Sequence, residues 1–117
     1  MIEDFVGRVF ALRNATHLAH WASKSYAEHK TLGKFYEALI DGVDTIVEAY
    51  QGYYGLIGEV RISMIPKSDI TGKIHSELSY IVANRDKICQ KNPIILNLLD
   101  QFASEYSNTL YKLTNLK

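Results

Sequence analysis

Residues 25–52, SYAEHKTLGKFYEALIDGVDTIVEAYQG, decide the fold class. Leu32, Phe35, Leu39, Val43, Ile46 and Tyr50 recur every three or four positions, so on a helix turning by about 100° per residue they share one face, flanked by Tyr36 and Val47. Glu37, Asp41, Asp44 and Glu48 fall on the opposite side. Such a helix has to bury one stripe against other helices. Ser25 and Glu28 have the S-x-x-E spacing of a capping box, and Gly52 suits a C-terminal cap.

Residues 2 to about 23 read as a preceding helix. Ile2, Val6, Val9 and Phe10 share a face that Arg13, His17 and His20 continue, so one stripe passes from apolar to ionisable. A core-facing stripe stays apolar unless its polar members have partners, which marks these residues for attention. No Gly or Pro divides the two helices, and one continuous helix over residues 2–50 is the alternative.

Downstream, GYYGLIGEVRISMIPKS at residues 52–68 breaks the pattern with three glycines and a proline. It reads as a long connection, with an extended piece at Val60–Ile65, that either crosses the bundle or packs Tyr53, Tyr54 and Leu56 over one end. A third helix is expected from about Asp69 to Cys89, capped by Ser68, with Ile70, Ile74, Leu78, Ile81 and Val82 inward. The fourth starts at Asn92-Pro93, a preferred cap before a proline at the first helical position. Ile95, Leu99, Phe102, Tyr106, Leu110 and Leu113 continue it. The expected fold is all-α: one domain over residues 1–117, a ferritin-like antiparallel four-helix bundle with its long connection between the second and third helices.

Composition narrows the function classes. Thirteen basic residues balance thirteen acidic ones, so no basic patch is on hand for nucleic acid or an anionic membrane. No apolar run of about 18 residues is present to span a membrane. The start, MIEDFVGRVF, lacks the basic region of a signal peptide. Cys89 is the one cysteine, which suits a reducing cytoplasm.

The residues with metal-binding chemistry are His17, His29, Asp44 and Glu48. Imidazole holds Fe(II), carboxylates hold the harder Fe(III), and both also accept Mn(II) or Zn(II). Asp44 and Glu48 stand at i and i+4 and project from one helix face, away from the apolar stripe of their own helix. They are poorly placed for a site inside their own core, but across a twofold they can meet another copy's histidines.

From His17 to Glu48 the chain resembles the Dps family, the small ferritin-like iron-storage proteins of starved or oxidatively stressed bacteria. The resemblance rests on a histidine near the end of the first helix, a second twelve residues later, and D-x-x-x-E on the second helix. It implies iron held between two subunits, His17 and His29 from one and Asp44 and Glu48 from the other. It also implies a homo-oligomer, a dimer at least and a closed cage at the largest, and Fe(II) oxidation by peroxide or oxygen. His20 and Trp21 would stand beside the metal, with Trp21 quenching radicals. Three departures stand out: Gly33 replaces an acid common in that family, Leu18 rather than tryptophan follows His17, and no basic N-terminal arm is present.

A blander set of readings competes. Acids on an outer helix face usually form a solvated surface. His17 and His20, one turn apart, suit a packed interface, and so does Trp21. The E-x-x-H elements of an intra-bundle di-iron centre are absent, as are P-loop, Rossmann and zinc-finger patterns. The alternative function is a non-catalytic helical oligomerisation or interaction module without bound metal.

Overall fold

The computed structural model describes all 117 residues. Four helices form it: α1 (Ile2–Ala22), α2 (Tyr26–Tyr54), α3 (Ile70–Cys89) and α4 (Pro93–Asn115). There is no strand, and no helix is long and apolar enough to cross a membrane. The molecule measures 44 × 25 × 21 Å. Its long axis is set by α2, whose 29 residues at ~1.5 Å each span about 43 Å.

Each helix packs on two others: α1 lies beside α2 and α3, and α4 lies beside the same two. At one end Gln90 and Asn92, in the α3–α4 turn, donate to the hydroxyls of Tyr50 and Tyr54 in the last turns of α2. At the other end the start of α3, at Ile70 and Thr71, stands beside Ala22 and Ser23 of the α1–α2 turn. Hence α2 and α3 run the same way on opposite corners, every adjacent pair is antiparallel, and the chain between them traverses the bundle. One long crossover in a four-helix bundle is the connectivity of ferritin-like folds.

The α2 stripe is buried as its periodicity predicts: Leu32, Phe35, Leu39, Val43 and Ile46 are core, and Tyr50 is half-buried. From α4 come Ile95, Leu99, Phe102 and Tyr106. Phe5, Phe102, Tyr106 and Phe35 meet edge to face in series, with centroids 5.8, 5.4 and 5.1 Å apart, and tie α1, α4 and α2 together. Burial pushes the Tyr106 phenol pKa up, so it stays neutral.

Several boundaries and faces differ from the sequence reading, each for a local reason. The helix over residues 2–50 is not continuous. It breaks at Ser23–Ser25, where the Ser25 hydroxyl accepts the Glu28 amide at 3.3 Å and starts α2. At its far end α2 runs past Gly52 to Tyr54 and stops at Gly55, whose φ of 87° favours glycine. The cap of α3 is Asp69 rather than Ser68, its carboxylate accepting from Gly72 N at 3.2 Å. Val82 is 65% exposed rather than inward, because the buried line of α3 runs through Ile74, Ile81 and Ile88. In α1 the buried stripe continues from Val9 through Leu12, Ala15, Thr16 and Ala19. Phe10, Arg13, His17 and His20 are half-buried on the flank towards α2.

The crossover, residues 55–69, forms no strand at Val60–Ile65 and does not fold over the bundle end: Leu56 is 88% exposed, and Tyr53 and Tyr54 are exposed too. It is fastened to α1 instead. Gly58 N donates to the Glu3 carboxylate at 2.8 Å, and the Arg61 carbonyl packs so closely on Gly7 that α1 has no room for a β-carbon there.

Candidate functional site

Five ring side chains, His17, His20, Trp21, His29 and Tyr36, collect where α1 ends and α2 begins. The His20 and His29 rings stack at 3.7 Å between centroids, 16° from parallel. Each Nδ1 lies on the other residue's carbonyl oxygen, His20 Nδ1 on His29 O at 2.5 Å and His29 Nδ1 on His20 O at 2.9 Å. A carbonyl only accepts, so both Nδ1 atoms carry a proton, and Nε2 is the nitrogen of each ring left without a partner in the chain. His29 also satisfies a last-turn carbonyl of α1 that has no donor further along the helix. The Ser23–Ser25 turn holds the two helix ends together, with Ser23 Oγ accepting from Ser25 N at 3.2 Å.

Gly33 explains how His20 fits. A β-carbon at residue 33 would stand 2.9 Å from His20 Cε1 and 3.2 Å from its Nδ1. The ring occupies the space of the missing side chain, so the acid that the resembled family carries at this position cannot coexist with this His20 rotamer.

His17 lies one turn before His20 and stacks on Tyr36 at 4.1 Å, 14° from parallel, with the Trp21 ring 4.4 Å away on a tilt. The Arg13 guanidinium sits 5.2 Å above the Tyr36 ring. Loss of solvent around the ring, helped by Arg13 and His20, lowers the His17 pKa. Neutral imidazole is the form that binds a metal. Trp21 is 67% exposed, so its indole faces solvent at the edge of the cluster rather than the core.

The structure thus brings His17, His20, Trp21 and His29 together, with His17 and His29 both stacked or adjacent to His20. It does not bring Asp44 and Glu48 to them. Those two are exposed, have no hydrogen bond or ion pair within the chain, and lie 15 and 19 residues past His29 on one helix, which is about 22 and 28 Å. No group of three or more His, Cys, Asp or Glu side chains in one chain is arranged to hold a metal. Cys89 offers no substitute: it is fully buried, and burial pushes its thiol up to about 11, far from a reactive thiolate.

Sequence reasoning overlooked Tyr36 as the surface on which His17 rests and Gly33 as the seat of His20. Gly33 carried a signal, since a mid-helix glycine costs about 1 kcal/mol against alanine and marks a close approach. Tyr36 carried none beyond its place on the flank of the α2 stripe.

Fold and cluster together define an all-α four-helix bundle with one long crossover and a histidine-rich corner at its first turn. Residues 20–113 match the family of unknown function DUF5856, and the chain belongs to that family. The matched span begins just after His17 and takes in His20, His29, Gly33, Asp44 and Glu48. The chain is also similar to a protein of Enterobacteria phage T4 described as an uncharacterized 14.6 kDa protein in the mobD-ri intergenic region, 36% identical over 53 residues. That alignment covers 45% of this chain and 41% of the phage protein, so the chain spans about two fifths of its relative's length. No solved structure matches the chain.

Proposed function

We propose that this chain is an iron-binding protein of the ferritin-like, Dps-like kind, taking up and oxidising Fe(II) at sites completed by a second copy of itself. The strongest support is the reciprocal His20–His29 arrangement. It fixes both Nδ1 protons on carbonyls, the orientation that metal-ligating histidines usually have, and leaves Nε2 free. The donor set fits iron: imidazole from the cluster, and carboxylate from Asp44 and Glu48, exposed and without partners in their own chain.

Symmetry supplies the missing half. In a twofold dimer with antiparallel α2 helices, His29 meets Asp44 or Glu48 of the second copy when the axis crosses α2 near residues 37–38. The half-buried Tyr36 and Ile40 then flank the axis, and the same operation generates two equivalent sites. Mn(II) and Zn(II) suit these ligands as well.

The test is anaerobic Fe(II) titration with light scattering on wild type, Asp44→Ala and Glu48→Ala. Saturable iron in a dimer or larger, lost in both variants without unfolding, is the expected result. Full iron binding by the variants would end the assignment.

A second reading has its own support. His17 is packed against Tyr36 and Trp21, Gly33 excludes the extra acid, and no single chain assembles three ligands. A bundle that serves only as an oligomerisation or interaction module would look the same. It predicts an oligomer in which added Fe(II) disappears no faster than in buffer.

A further inference from the structure

Between α1, α3 and the crossover lies a cleft of about 800 Å³, on the opposite side of α1 from the histidine cluster and within the size of small-molecule sites. The crossover is pinned at Glu3 and Gly7, Ile65 packs back onto the core, and Ser63, Ile65 and Pro66 wall one side of the cleft. Its floor is rigid. Arg8 reaches both Glu77 oxygens through Nη1, at 2.7 and 3.1 Å, and its guanidinium lies 4.0 Å over the Tyr80 ring.

The lining is rich in donors and short of acceptors. Arg8 on α1, Arg61 on the crossover and Lys73 on α3 each bring a cation from a different element. Arg8 keeps Nε and Nη2 free, and the Ser63 and Ser76 hydroxyls have no partner. Of the two acids, Glu77 is already taken up by Arg8, which leaves Asp4. Tyr80 adds no negative charge, since burial raises its phenol pKa. Lys73 Nζ also donates to the Ser68 carbonyl, and Arg61 Nε stands 3.7 Å from Glu59 at the exposed rim. The open donors are thus Arg8 Nε and Nη2 and the two hydroxyls, and with three cations around a concave wall they suit an acceptor-rich ligand.

We propose that this cleft binds a small, multiply charged oxyanion, a phosphate- or carboxylate-bearing metabolite, held by Arg8 and Lys73 with Arg61 closing from the rim. Phosphate and carboxylate share the chemistry, and two probes separate them. Isothermal titration at fixed ionic strength with pyrophosphate and with citrate should give saturable one-site binding for at least one, and the stronger identifies the group. Ser76 is exposed on α3, so Ser76→Glu leaves the fold intact while placing a like charge in the cleft, and affinity should fall about tenfold or more. Lys73→Gln should weaken binding as well. Ser79→Glu, on the same helix but outside the cleft, should leave it unchanged. No saturable binding of either probe, or equal losses from Ser76→Glu and Ser79→Glu, overturns the proposal.

Discussion

His20 and His29 exchange hydrogen bonds across the first turn of the bundle, each Nδ1 donating to the other's backbone carbonyl while the two rings stack at 3.7 Å. The arrangement locks the end of α1 to the start of α2 and settles which nitrogen of each ring is free. Its space comes from Gly33.

Gly33→Ala therefore tests the seat directly. Alanine is worth about 1 kcal/mol more than glycine inside a helix, yet the added methyl would meet the His20 ring at 2.9 Å. Thermal unfolding of the single variant should show no gain, with changed imidazole NMR signals for His20 and His29. In a His20→Ala background the same change should recover the stabilisation of about 1 kcal/mol. An equal gain in both backgrounds would mean that the ring does not depend on the glycine.

Asn92 accepts the amides of Ile94 and Ile95 at 3.0 and 3.3 Å and starts α4 ahead of Pro93. Asn92→Ala should cost about 1 kcal/mol in denaturant unfolding with an unchanged m-value. Leu39→Ala, at a fully buried position, should cost about 2–5 kcal/mol.

Acid should weaken the fold through named groups. Arg85 Nε and Nη2 each reach Asp100 at 2.6 Å, and this pairing holds the Asp100 carboxyl below its ordinary range. A depressed carboxylate stabilises at pH values above its unfolded pKa, and that contribution is lost as pH falls through the folded one. Both partners are well exposed, so Asp100→Asn should cost less than about 1 kcal/mol at pH 7 and flatten the acid limb of stability against pH.

His17 acts in a higher window with the same sign. Its folded pKa lies below the unfolded value, so the unfolded chain binds the proton more readily and stability rises with pH until about 6.5, the ordinary histidine value. His17→Gln should remove that slope while leaving stability above pH 7 little changed. A slope that survives the substitution would assign it to other groups.

Much of this was legible in the sequence. The buried stripes of α2 and α4 followed from periodicity, since both helices have one strongly apolar face, and Ser25 and Asn92 were readable as caps from residue type and place. The face of α1 was misread, because Ala15, Thr16 and Ala19 fill the core there with small side chains that weigh little beside Phe10 and the histidines. Ser68 and Asp69 are both good caps, and the choice between them turns on which side chain reaches the Gly72 amide, which residue type alone does not reveal. The gathering of His17, His20 and His29 needed the position of the α1–α2 turn. The exposure of Asp44 and Glu48 needed only the helical projection.

One measurement bears most directly on the shared-site proposal: iron bound per chain in an anaerobic Fe(II) titration of the protein at a subunit number fixed by light scattering. A shared site requires a dimer or larger holding iron in proportion to its chains, with occupancy lost in Asp44→Ala and Glu48→Ala and the oligomer retained. A monomer, or an oligomer in which no saturable iron is found, would contradict it.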